Sequence, residues 1–287
     1  MSQVRKVTEI INAQPASDGD GVKLLRVFGG RGPERFDPFL MLDEFGSNEA
    51  SDYIGGFPPH PHRGFETVTY MLQGKMEHRD HMGNVGLLND GDVQWMSAAG
   101  GVIHSEMPKQ TEGKMRGFQL WVNLPAKEKM RPASYSDVSG EDIPVYTLGS
   151  NRIKAIAGSM TVAEQEIVGR FTDVATKPVY FDVHLQAGEQ LSFPVNSEAT
   201  ALIYGYEGDL SLGEAKTGLA AKQLARLTEG DEIIVHNPAG SEARFLFMSA
   251  IPLREPIVQY GPFVMNSQAE IEQALADYRS GRLVKAG

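Results

Sequence analysis

Between Gly56 and Gly74 the chain reads Gly-Phe-Pro-Pro-His60-Pro-His62-Arg-Gly-Phe-Glu66-Thr-Val-Thr-Tyr-Met-Leu-Gln-Gly. Two histidines one residue apart run into a stretch of strand composition, Phe65, Thr67, Val68, Thr69 and Tyr70. On an extended strand, side chains two residues apart share a face. The spacing therefore predicts that His60, His62, Gly64 and Glu66 point the same way. A second piece, Gly91-Asp-Val-Gln-Trp-Met-Ser-Ala-Ala-Gly-Gly-Val-Ile-His104-Ser-Glu106, places His104 and Glu106 on one strand face. Three imidazoles and one or two carboxylates on short strands point to a metal held inside a small β-barrel. Pro59 and Pro61 stiffen the backbone around His60, which lowers the entropy lost when ligands converge.

The rest of the chain fits an all-β reading. Its 31 glycines and 16 prolines among 287 residues imply many turns, and the length suits two domains. With no cysteine, a metal must be held by nitrogen and oxygen. Three nitrogens and one carboxylate suit divalent Fe, Mn, Ni or Cu better than calcium or magnesium. Either Glu66 or Glu106 completes that set. The formal charge of −10 argues against direct nucleic-acid binding but leaves protein partners open. The amino terminus lacks a signal-peptide core, and no apolar run approaches the length of a membrane span, so the expectation is a cytoplasmic protein away from membranes.

The second half reads as a worn copy of the first. Tyr70-Met-Leu-Gln-Gly74 has a counterpart in Tyr204-Gly-Tyr-Glu-Gly208, and Leu88-Asn-Asp-Gly91-Asp92 in Leu227-Thr-Glu-Gly230-Asp231. On those alignments His60 falls on Pro194, His62 on Asn196, Glu66 on Thr200 and His104 on Ala243, so the copy lacks every candidate ligand. The expected division is 1–134 for a metal-bearing domain, 135–250 for a domain without ligands, and 251–287 for a tail packed on the body. Leu124–Pro132 suits a linker, and Ser267-Gln-Ala-Glu270 is a capping box opening an amphipathic helix. His78 and His81 read as parts of a solvated polar hairpin. Met71, Trp95, Met96 and Trp121 read as barrel lining.

His60-Pro-His62-Arg-Gly-Phe-Glu66-Thr-Val-Thr-Tyr, Gly91-Asp-Val-Gln-Trp-Met, His104-Ser-Glu106-Met-Pro, Gln119-Leu-Trp-Val-Asn-Leu-Pro and Tyr260-Gly-Pro-Phe-Val-Met-Asn266 together resemble the pirins, members of the cupin superfamily. The similarity runs nearly end to end. It implies a bicupin: two double-stranded β-helix (jelly-roll) barrels facing each other, with iron in the amino-terminal barrel only. It implies His60, His62, His104 and Glu106 as ligands of Fe(II), with Mn, Ni, Cu or Zn as alternatives. Glu66 then becomes a neighbouring group that could share the proton-accepting role with Glu106. Two activities follow from the resemblance. One is a quercetin 2,3-dioxygenase, an oxidoreductase that opens a flavonol with dioxygen and releases carbon monoxide. The other is a metal- or redox-dependent regulator that binds a transcription factor or a metabolic enzyme. Ala98-Ala99-Gly100-Gly101 departs from the Ala-Gly-Arg-Gly usual before the third histidine, which alters charge near that loop.

Overall fold

A computed structural model describes residues 2–30 and 32–284. The chain divides into two compact units. One, here the histidine unit, comprises Gln14–Glu141 and the tail from Leu253; the other comprises the residues up to Ala13 together with Asp142–Pro252. This differs from the division expected from sequence. Strand Ser134–Val138 pairs with Val93–Ser97 and so extends the histidine unit past residue 134. Strand Val7–Asn12 pairs with Gln223–Leu227 and so belongs to the other unit. Strand partners are chosen by unsatisfied sheet edges, and an edge can be capped by a segment remote in sequence.

Each unit is built from a seven-stranded and a four-stranded antiparallel sheet. In the histidine unit the larger sheet runs Ser134–Val138, Val93–Ser97, Phe65–Gln73, Met115–Asn123, Phe39–Ser47, Val22–Phe28, Gln14–Asp18; the smaller runs Phe57–His62, Val102–Pro108, Met76–Asp80, Val85–Leu88. Phe57–His62 lies at the edge of its sheet, as three prolines without N–H donors require. In the other unit the order Val7–Asn12, Gln223–Leu227, Thr200–Glu207, Ala243–Ala250, Val179–Leu185, Asn151–Ala157, Val145–Leu148 repeats the same topology. The outermost strand is the exception in chain order, because Val7–Asn12 comes from the amino terminus.

The topology corrects the repeat's offset. Gly101 and Gly230 both adopt a positive φ, 146° and 147°, just before equivalent strands Val102–Pro108 and Glu232–His236. His104 therefore matches Ile233, and Glu106 matches Val235. His60 pairs with His104 as Phe193 pairs with Ile233, and His62 matches Val195 by the same register. All four of those residues belong to, or pack against, the apolar core of the other unit. The second copy has thus filled the positions of the candidate ligands with hydrocarbon, as the sequence suggests, although the individual matches shift.

The tail completes the histidine unit. Arg63 pairs with Phe263, and the Gly64 carbonyl and the Val264 carbonyl both accept from the Lys129 ammonium, at 2.7 and 3.0 Å. A Cβ on Gly64 would lie 1.9 Å from the Val264 oxygen, so this crossing admits only glycine. Asn123 Oδ1 is the third acceptor of Lys129, at 2.6 Å. The segment expected as a linker thus sends a lysine with 1% exposure into the unit. Helix Gln268–Arg279 begins at Ser267, whose hydroxyl accepts from the Glu270 N–H, and it buries Ile271 and Ala274. Asp277 on that helix pairs with the buried Arg63 at 2.8 Å. Among the described residues no helix is long and apolar enough to cross a membrane.

Candidate metal centre

His60 and His104 stand directly opposite each other on neighbouring strands, and His62 is opposite Val102. One nitrogen from each of the three imidazoles lies within 4.8 Å of the others. His62 and His104 are buried, at 3% and 1% exposure. Burial holds both rings well below the usual imidazole pKa, and the neighbouring imidazoles add to the effect. They are therefore neutral at pH 7, with lone pairs available. His62 Nδ1 and His104 Nε2 have no hydrogen-bond partner despite burial. His60 Nδ1 lies 2.8 Å from the Pro58 carbonyl, which can only accept, so Nδ1 carries the proton and Nε2 keeps its lone pair. Buried nitrogens left bare in one place are costly unless they hold something, and this donor set fits a divalent cation.

Glu106 is buried on the same strand as His104, and its Oε1 accepts from the Thr69 hydroxyl at 3.0 Å. The Thr69 hydroxyl also lies 2.6 Å from Gln119 Oε1, and its single proton serves one of these two acceptors at a time. Glu106, His60, His62 and Gln119 line one cavity of about 950 Å³. Leu24, Met41, Phe45 and Trp121 supply its apolar wall, and the tail closes part of it with Ile257 and Pro262. Arg26 enters the same cavity, held by two bonds to Asp43 at 3.0 and 2.8 Å.

Glu66 does not join this group. The strand carrying His60 and His62 ends at His62, Gly64 adopts φ 93°, and Phe65–Gln73 starts in the other sheet. The alternation that predicts a shared face is interrupted there. Glu66, with 1% exposure, accepts instead from Trp95 Nε1 at 3.1 Å and from the Arg131 guanidinium at 2.9 Å. Burial pushes its carboxyl pKa upward against those donors.

His78 is not solvated. It is fully buried opposite Glu106, its Nδ1 is 3.3 Å from His104 Nδ1, and its ring stacks on Tyr135. The alternation in Met76-Glu-His78-Arg-Asp80 was the available signal, since it puts His78 on the face of the apolar Met76. Thr69 and Gln119 also escape a reading based on ligand-type residues, because a hydroxyl and an amide carry no spacing signature. In the loop that departs from the usual pattern, Ala99 takes φ 39° and the Gly100 carbonyl accepts from Arg63 Nε.

A pair of antiparallel sheets with histidines gathered on the inner face of one of its two copies defines a cupin of the two-domain kind. The Pirin profile matches residues 21–122, and that of the Pirin C-terminal cupin domain matches 180–284. A Pseudomonas aeruginosa protein named "Putative quercetin 2,3-dioxygenase" is 54% identical over 285 residues, covering 99% of each chain. Human pirin is 38% identical over 285 residues, 98% of this chain and 95% of the human one. A crystal structure of quercetin 2,3-dioxygenase from Acinetobacter baumannii superposes with TM-score 0.90 at 33% identity, covering 99% of this chain and 100% of that one. This chain belongs to the pirin family.

Proposed function

We propose that this pirin is an iron-dependent dioxygenase of the quercetin 2,3-dioxygenase type, which opens a flavonol with dioxygen and releases carbon monoxide. His60, His62, His104 and Glu106 would hold the ion. The observation that carries the reading is the meeting of three imidazoles, two of them buried with orphaned nitrogens, at the edge of a cavity that also takes Glu106. The names of its relatives support the substrate class.

When bound, the ion supplies a Lewis-acidic, redox-active centre for substrate and dioxygen. The protein's own groups do the rest. A cavity of about 950 Å³ accommodates a three-ring flavonol. Its apolar wall excludes water and strengthens polar contacts inside. Arg26 and Gln119 offer hydrogen bonds to ring hydroxyls on that wall. Thr69 shares its proton between Glu106 Oε1 and Gln119, and the Glu106 carboxylate would hold the ion or accept the flavonol hydroxyl proton. Glu66 has no part in that transfer, because its carboxylate is engaged by Trp95 and Arg131 outside the cavity lining.

The test is to incubate iron-loaded protein with quercetin while following oxygen uptake and carbon monoxide release. Turnover well above free iron, lost in His62→Ala, is expected. Turnover no greater than that of free iron, with His62→Ala indistinguishable from the parent, would remove the proposal.

A further inference from the structure

Strand Met76–Asp80 carries a group that the proposed reaction leaves unused. His78 Nδ1 and His104 Nδ1 are 3.3 Å apart in a buried site. Two imidazole nitrogens at that distance share one proton, so one donates and the other accepts. A cation takes only a bare imidazole nitrogen. His104 Nε2, the nitrogen without a partner, can be bare only if the His104 proton is on Nδ1. His78 Nδ1 must then be the acceptor, and the proton of His78 goes to its Nε2. That atom is buried and makes no hydrogen bond; the Asp80 carboxylate, with Oδ2 4.0 Å away, faces it as a nearby negative charge.

The supports around His78 are themselves fixed. Asp80 Oδ1 accepts from the N–H of Met82 at 2.9 Å and of Asn84 at 3.0 Å. Asp80 Oδ2 accepts from the Asn84 side-chain amide at 2.8 Å. The carboxylate is thus anchored by its own turn, on the side of His78 that must carry the proton. The ring of His78 stacks on Tyr135 with centroids 5.5 Å apart and planes 18° apart, which holds its orientation. His60 meets the same need by a different device, the Pro58 carbonyl.

We infer that His78 is a positioning residue: by accepting from His104 Nδ1–H it locks the tautomer that leaves His104 Nε2 free for a cation. The negative charge of Asp80, 4.0 Å from the far nitrogen, favours the proton of His78 there. The inference rests on reading the three-histidine cluster as a cation site, but it makes a statement about the metal-free chain as well. Histidine orientation by an outer partner is a general feature of imidazole metal sites. Here the outer partner is a second imidazole with a carboxylate 4.0 Å beyond it.

Two measurements test it. Nitrogen NMR of 15N-histidine-labelled, metal-free protein reads the tautomer of His104 directly. The expected form is protonated at Nδ1; an Nε2-protonated His104 in the parent overturns the inference without any variant. The second measurement titrates the full chain with Mn(II) in competition with a chelator. His78→Phe keeps the ring stack but offers no acceptor, whereas His78→Asn keeps an oxygen near the place of Nδ1. His78→Phe is expected to weaken Mn(II) binding about 10- to 100-fold, and His78→Asn by no more than about threefold. Equal affinity in His78→Phe and the parent overturns the inference. A parent that binds no Mn(II) removes the cation-site reading instead, and the NMR result still decides the tautomer.

Discussion

Replacing Lys129 by methionine removes a buried ammonium but keeps most of its stem. Three acceptors, the carbonyls of Gly64 and Val264 and Asn123 Oδ1, then lose their donor. At about 2 kcal/mol for each buried acceptor left unmade, the gross loss is about 6 kcal/mol. Part of this is offset. Burial pushes the Lys129 ammonium from 10.5 down to about 8, and 2.5 units at 1.36 kcal/mol each is about 3 kcal/mol of penalty that methionine relieves. The net expectation is a loss of about 3 kcal/mol at pH 7. The pH dependence is the sharper test. Because the folded value lies below the unfolded one, the folded protein releases its proton near pH 8 while the unfolded chain keeps its own until about 10.5. Parent stability therefore rises with pH across that window, and the variant lacks this contribution. The gap between them should widen from about 3 toward about 6 kcal/mol between pH 7 and 10.5. Guanidinium unfolding followed by tryptophan fluorescence reads the relevant unit alone, since Trp95 and Trp121 are the chain's two tryptophans and both lie in it. A gap that stays constant or narrows with rising pH refutes the reasoning.

Three further perturbations separate roles within the histidine unit. Thr69→Val keeps shape but frees Glu106 Oε1, and should lower kcat for quercetin by about tenfold while Thr69→Ser restores it; steady-state kinetics that rank the two variants equally would exclude the hydroxyl. Glu66→Gln weakens the pair with Arg131 and should cost about 1–3 kcal/mol in denaturant unfolding, with Mn(II) affinity unchanged; a large fall in affinity would place Glu66 at the ion after all. Asp277→Ala leaves the buried Arg63 guanidinium without its carboxylate and should destabilise by about 3 kcal/mol at pH 7. Arg63 holds the Asp277 carboxyl below its ordinary value of 3.8. That stabilisation is full above pH 4 and is lost as pH falls through the lowered pKa, so the difference between parent and variant should shrink in acid.

Much of the histidine unit is legible in the sequence because a strand's period of two writes its buried face openly. His104 and Glu106 share a face as their spacing requires, and the prolines around His60 announce an edge strand. The failures have local physical causes. Gly64 is forced by the close passage of Val264, a contact 200 residues away, and the turn it makes cuts Glu66 off from the histidine face. His78 sits among charged neighbours, so composition suggests solvent where alternation places it inside. The repeat is real, but matching short glycine motifs slid one alignment onto the wrong turn; only the register shows that Phe193, Val195, Ile233 and Val235 stand where His60, His62, His104 and Glu106 do in the first copy. Strand Val7–Asn12 joins a sheet whose next strand is more than 200 residues away, and no local pattern carries that information. For the carboxylate, spacing leaves Glu66 and Glu106 equally eligible and resemblance to the pirins singles out Glu106; of the two, Glu106 lines the cavity.

The claim on which the rest depends is that His60, His62 and His104 meet to hold one divalent ion. Crystals soaked in Mn(II) and measured at an energy where manganese scatters anomalously address it without any assay of turnover. The expected result is a single strong anomalous peak per chain bounded by those three rings and Glu106, absent in His104→Ala crystals. A peak elsewhere, or none between the rings, would contradict it.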